Sequence, residues 1–252
     1  MKIISSPAKL MNVGTSTSFL KSTQPHFIEE AAHIQKTLKN KSPKYLIDLM
    51  EISTKLADEN WERNQNWNPK PSAKESAPAL MAFSGEVYRG LDAKSLDEKA
   101  VKFLQKNFRM LSGLYGLLKP SDKIMLYRLE MGRKFKFEGH KNLYDFWGEK
   151  VTDQLNRELK SKDFVLNLAS KEYFKVINED KIKAPVIHFE FYDYREGKLK
   201  QIVVYTKHAR GLVARFCAEN NVKSLNEVKA FNLENYQIDE KLSTEKKLVF
   251  AR

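Results

Sequence analysis

Hydrophobic positions along the chain recur at two spacings, and each change of spacing marks an element. Phe27, Ile28, Ala31, Ile34 and Leu38 fall at helical intervals. Ser42-Pro43 then reads as a helix start, with Ser as N-cap, Pro at the first helical position, and Tyr45, Leu46, Leu49 and Met50 as the apolar face. After a break at Glu51-Ile52-Ser53, a second helix is expected through Leu56, Ala57 and Trp61. Leu96, Val101, Phe103 and Leu104 predict another helix, and Asp145 is placed to cap one whose buried positions are Phe146, Val151, Leu155 and Leu159. Short apolar runs predict buried strands at Lys2–Ser5, Ala79–Phe83, Phe108–Leu111 and Phe164–Leu168. Val186–Tyr192 and Leu199–Tyr205 flank Asp193–Gly197 as a β-hairpin. Lys229–Phe231 and Lys247–Phe250 are expected to close the sheet at its edges. Asn12–Gln24, rich in Ser and Thr, and Asn64–Pro78, with three prolines, read as loops. With no internal repeat or linker, residues 1–252 predict one compact α+β domain, a mixed sheet surrounded by helices.

Composition narrows the function. The chain of 252 residues is 42% hydrophobic and holds 15 Phe, 10 Tyr and 3 Trp, enough for a sizeable core. Met1-Lys2-Ile3-Ile4 runs straight into Ser5-Ser6-Pro7, unlike a signal peptide, and no apolar run reaches the roughly 18 residues of a membrane helix. A lone cysteine, Cys217, leaves no internal disulfide and fits a reducing compartment, so a cytoplasmic location is expected. The net charge of +12 favours a polyanionic partner, and no basic tail concentrates it, so the fold has to assemble any binding surface.

Two stretches stand out. Phe108–Gly132 joins a buried strand to Ser112-Gly113-Leu114-Tyr115-Gly116, with two glycines three residues apart, and then to the turn Lys119-Pro120-Ser121-Asp122. So apolar a loop is expected in the core, either with Arg109, Tyr115 and Arg128 aimed at a cleft or simply as a buried turn between structural strands. The second stretch, Lys198–Arg215, carries five Lys or Arg and no acid. Helical projection puts Lys207, Arg210 and Arg215 on one side and Ala209, Leu212, Val213 and Phe216 on the other, a basic stripe suited to phosphate contact.

Motifs spread through the chain resemble the YaaA family of peroxide stress resistance proteins. They are SPAK (Ser6–Lys9), LSGLYG (Leu111–Gly116), YRLEMG (Tyr127–Gly132), LYDFWG (Leu143–Gly148), NLASKEYF (Asn167–Phe174) and KHARGL (Lys207–Leu212). The resemblance implies a cytosolic bacterial protein that binds DNA and limits oxidative damage, with a compact mixed fold and no established catalytic chemistry. It makes Lys9 a candidate contact through the SPAK motif. Leu49–Ala57 resembles a helix-hairpin-helix DNA-binding motif, with Glu51 and Ser53 where that motif usually has glycines. In such a motif the N–H groups at the start of the second helix hold a phosphate, with Ser53 as cap and Lys55 adding charge. A plain αα-hairpin is the alternative.

Asn167, Ser170 and Lys175 follow a strand end of the kind that lines ligand crevices in layered α/β proteins. The candidate DNA contacts are therefore Lys9, Ser53, Lys55, Arg109, Tyr115, Arg128, Asn167, Lys175, Lys207, Arg210 and Arg215, facing a basic cleft. Five histidines and Cys217 show no metal-ligand spacing, and neither a phosphate-loop nor a dinucleotide fingerprint is present. No cofactor or metal is expected. Glu130, Glu172 and Glu190 are candidate general acids or bases that the sequence cannot pair, and Cys217 reads as packing rather than as a reactive thiol. The leading reading is a DNA-binding protein of the peroxide response, largely indifferent to sequence and selective, if at all, for DNA structure, with Tyr115 stacking on an unpaired base. The alternatives are a base-modifying or glycosylase-like enzyme and a basic structural protein without a nucleic-acid partner.

Overall fold

The computed structural model describes residues 1–14 and 17–252. Its centre is a sheet of five parallel strands in the spatial order Lys247–Ala251, Val186–Arg195, Val165–Leu168, Lys2–Ser5, Phe108–Ser112. Antiparallel Gln237–Ile238 and Gly116–Leu118 form the two edges, so Lys247–Ala251 is an interior strand and Lys229–Phe231 lies at the end of a short helix instead. Lys2–Ser5, Phe108–Ser112 and Val165–Leu168 are buried along their whole length, including the polar Lys2, Arg109 and Asn167, which is why apolar residues dominate them. From Lys2–Ser5 the chain goes next to the strand on one side, Phe108–Ser112, and then to the strand on the other, Val165–Leu168. Such a reversal opens a crevice at the carboxyl ends of the strands.

Local chemistry decides several elements. Ala79–Ala82 is a turn of helix, not a strand: the Ala79 and Leu80 N–H groups donate to the Asp122 and Pro120 carbonyls, so no ladder forms. The helix expected from Asp145 starts at Asn142, whose side chain accepts from Asp145 N–H while the Asp145 carboxylate accepts from Lys141 N–H. It stops at Gly148, where φ is +43°, and a second helix spans Lys150–Glu158. The hairpin turns at Glu196-Gly197, both with positive φ, but its second strand is only Lys198–Lys200, and a helix takes over at Val203–Glu219.

The paired glycines of Phe108–Gly132 serve packing. A Cβ on Gly116 would stand 2.8 Å from the Trp147 ring, and one on Gly113 2.3 Å from the Leu129 carbonyl oxygen. The Trp147 indole N–H donates to the Gly113 carbonyl at 3.0 Å. LSGLYG and LYDFWG therefore lock into each other, and the reading of this stretch as a buried structural turn is the correct one for Tyr115. Its ring is 1% exposed, and its hydroxyl accepts from the Trp67 indole N–H at 2.9 Å. Burial pushes the Tyr115 phenol up to about 12.

Candidate functional site at the carboxyl ends of the strands

Lys2–Ser5 ends in Ser6-Pro7-Ala8-Lys9, Val165–Leu168 in Ala169-Ser170, and the stretch beyond Phe108–Ser112 returns as Tyr127–Arg133. These three ends meet. The Ser6 hydroxyl accepts from Ser170 N–H at 2.9 Å, and its carbonyl accepts from the Tyr88 hydroxyl at 2.9 Å. Ser170 also caps the turn Lys171–Phe174, so its capping and site roles coincide.

Glu130 lies at the centre, 5% exposed. Its Oε1 faces Arg128 Nη2 at 3.1 Å, Lys9 Nζ at 3.4 Å and Arg133 Nη2 at 3.7 Å. Three cations thus share one carboxylate. Glu172 borders the cluster, accepting from Gly132 N–H at 3.0 Å, whereas Glu190 sits apart, paired with Lys247 at 3.3 Å. Tyr88, Tyr127 and Tyr173 pack nearby; burial first, then their mutual proximity, drives the Tyr88 and Tyr173 phenols well above the usual range.

A fourth cation arrives from the helix Val203–Glu219. Gly211 and Gly90 let this helix and Glu86–Leu91 touch: a Cβ on Gly211 would lie 1.9 Å from the Val87 carbonyl oxygen. That approach carries Arg210 to the strand end, where its guanidinium donates to the Ala169 carbonyl. Burial lowers the Arg210 pKa to about 10, and among the described residues no carboxylate lies within 4 Å to neutralise it.

The hairpin closes the other side. Helices Pro43–Met50 and Thr54–Asn66 are joined at Glu51, which has φ +54° in the position where a glycine would be usual, and its carboxylate holds Arg133 Nη1 at 2.9 Å. Ser42 and Ser53 cap the two helices as their sequences predict. Between the hairpin and the turn at Gly132–Lys134 runs a groove of about 460 Å³, lined by Tyr45, Asp48, Leu49, Glu51, Gly132, Arg133 and Lys134. Asp48 and Glu51 balance its two cations, so this groove is not the uniformly basic cleft expected from the sequence.

The eleven sequence candidates separate accordingly. Lys9, Arg128 and Arg210 converge on the strand ends. Ser53 and Lys55 stand at the second hairpin helix, Lys55 exposed and without an ion-pair partner among the described residues. Lys175 is exposed over the Tyr144 ring, and Asn167 is buried with its amide against His188 Nδ1 at 3.0 Å. Arg109 and Tyr115 do not face a cleft. Arg109 is 5% exposed at the opposite end of the sheet, held by Glu158 at 2.7 Å. Nor do Lys207, Arg210 and Arg215 form one exposed stripe. Lys207 is exposed, Arg210 is turned inward, and Arg215 pairs with Glu219 at 2.7 Å and Asp92 at 3.6 Å. The acid-free run ends four residues before the acid that neutralises it. Cys217 is fully buried and its thiol is pushed up to about 12 by burial, as a packing residue. Arg133 and Lys134 were missed, although Gly132-Arg133-Lys134 directly continues the YRLEMG motif.

Fold and site together define a protein of mixed α and β architecture in which Lys9, Arg128 and Arg133 surround Glu130 at the carboxyl ends of a central sheet, flanked by an αα-hairpin. The chain belongs to the peroxide stress protein YaaA family, whose model matches residues 1–242. It is 45% identical to a UPF0246 protein of Flavobacterium johnsoniae over 252 residues, covering both chains in full. It is 44% identical to one of Marinomonas sp., covering this chain in full and 97% of the relative. A UPF0246 protein of Aliivibrio fischeri is 42% identical, with 100% and 98% covered. Family membership supports a role in peroxide stress. No helix among the described residues is long and apolar enough to cross a membrane.

Proposed function

We propose that the chain acts in the peroxide response by binding DNA at the carboxyl ends of its parallel strands. The observation that carries this reading is the convergence of Lys9, Arg128 and Arg133 on the buried Glu130 carboxylate, with Arg210 at the Ala169 carbonyl and without a carboxylate within 4 Å among the described residues, in a chain of net charge +12. Charge that the protein leaves unbalanced attracts an anionic backbone, and affinity of that origin is largely independent of sequence. The hairpin adds a second contact: Thr54 and Lys55 N–H groups open a helix of thirteen residues, whose dipole favours a phosphate there.

The test is a titration of duplex, forked and single-stranded DNA at several salt concentrations. Affinity should fall with salt by a slope of about −0.9 in log K per phosphate contact on duplex DNA. Affinity that hardly moves with salt, or no binding to any of the three, sinks the proposal.

A further inference from the structure

The β-hairpin Val186–Lys200 and the first turn of the helix Val203–Glu219 border a second groove, of about 810 Å³, lined by Tyr194, Arg195, Glu196, Lys200, Val204 and Tyr205 among others. Eight large hydrophobic side chains stay exposed among the described residues, and three of them stand here: Val203 at 70%, Tyr194 at 60% and Val204 at 44%. Such a concentration marks an interaction surface, whereas single exposed hydrophobics do not. The surrounding charge is of one sign. Lys200 pairs with Glu196 at 2.7 Å, but Arg195, Lys198 and Lys207 meet no carboxylate within 4 Å among the described residues, and the helix has no acid in its first turn.

The hairpin also leaves a strand edge open. Residues directly opposite each other in an antiparallel pair turn their N–H and C=O groups either both inward or both outward. Tyr194 donates its N–H to the Arg252 carbonyl at 2.7 Å, away from Lys198–Lys200. Leu199, which faces Tyr194 in the register, therefore turns its N–H and C=O to the free edge, beyond which no described strand lies. A second copy of the chain would set Lys198 and Lys200 against their own kind, and lysines on an edge oppose such pairing. A nucleic acid would satisfy the cations but brings no main-chain strand for Leu199 and no aliphatic side chains for Val203 and Val204. An extended acidic polypeptide meets all three features at once.

We propose that this hairpin is a docking strand for an extended segment of another protein, one that alternates acidic and aliphatic residues. Its backbone adds to the edge at Leu199, its aliphatic side chains cover the apolar patch, and its acids face Arg195, Lys198 and Lys207. The surface lies apart from the Glu130 cluster, so the proposal does not depend on the DNA-binding reading.

The experiment titrates the full chain with an end-capped fluorescent peptide EVEVEVE, its form methylated on alternate backbone nitrogens, the peptide KVKVKVK, and oligothymidylate. The acidic peptide should bind about tenfold more tightly than its methylated form or the basic peptide. Leu199→Pro removes the outward N–H without touching a ladder bond and should weaken the acidic peptide about as much. Lys198→Glu, an exposed change, should weaken it too, which covers the case in which Leu199→Pro disturbs the hairpin. Affinity for oligothymidylate should be the same in both variants as in the parent. No binding of the acidic peptide, or equal binding of its methylated form, overturns the proposal. So does oligothymidylate that outcompetes the peptide and is itself weakened by Lys198→Glu, which makes the surface a nucleic-acid contact. Self-association lost in Leu199→Pro would assign the edge to a second copy and overturn it as well.

Discussion

The two ends of the parallel sheet carry similar residues and treat them oppositely. At the amino ends, Lys2 Nζ and the Arg109 guanidinium close on Glu158 Oε2, at 2.8 Å and 2.7 Å, and the Met1 ammonium pairs with Asp163 at 2.5 Å. The remaining Arg109 and Lys2 donors reach the carbonyls of Gln105, Phe108 and Lys106. Burial alone would raise the Glu158 carboxyl, but Arg109 and then Lys2 hold it at about 2. At the carboxyl ends, three cations meet one buried carboxylate, Arg210 meets only a carbonyl, and a donor and an acceptor stay unmet. A closed network fixes a fold, whereas an open one leaves interaction energy for a ligand. Buried charge by itself distinguishes neither.

The largest expected effect tests the closed end. Glu158→Ala strands Lys2 and Arg109 and should cost about 3–5 kcal/mol in urea unfolding. Glu130→Ala, at the open end where its cations reach solvent, should cost clearly less. Equal losses would erase the contrast between the ends. Next comes Gly211→Ala, which forces a Cβ onto the Val87 carbonyl and should cost about 1–3 kcal/mol while withdrawing Arg210 from the strand end. Stability lost without any loss of DNA affinity would remove Arg210 from the site.

A pH effect follows from Glu158. Its folded-state pKa is depressed, so its contribution is complete above its ordinary value of about 4.5 and is lost as pH falls toward about 2. The acid limb of stability should therefore flatten between those values in Glu158→Gln relative to the parent, measured by urea unfolding at each pH. An unchanged limb would show that Glu158 keeps its ordinary carboxyl in the fold. Smallest in stability is Lys55→Glu at the hairpin, an exposed change within about 0.5 kcal/mol. An acid in the first helical turn even favours the helix slightly. Thermal melting should hold while DNA affinity falls; unchanged affinity makes the segment an ordinary αα-hairpin.

The sequence by itself determined the buried strands at Lys2–Ser5, Phe108–Ser112 and Val165–Leu168, though not the helical turn Ala79–Ala82, and also the serine caps at Ser42 and Ser53, the hairpin turn and the buried character of Cys217. Each of these rests on local chemistry: apolar runs, short oxygen side chains before a helix, positive φ, and a place on the apolar face. It also singled out Lys9 through the SPAK motif, Arg128 within the apolar core stretch and Arg210 through helical projection, without showing that all three reach the same strand ends. Tertiary structure alone decided which basic residues are spent on the fold. Arg109 and Arg128 both follow apolar neighbours in one stretch, yet Arg109 meets Glu158, forty-nine residues later, while Arg128 shares Glu130 with Lys9, which comes from more than a hundred residues earlier. Arg215 looked free until Glu219 and Asp92 closed on it. Periodicity reports which face of an element is apolar. Which acid approaches a base, and whether any atom is left without a partner, depends on how distant segments pack.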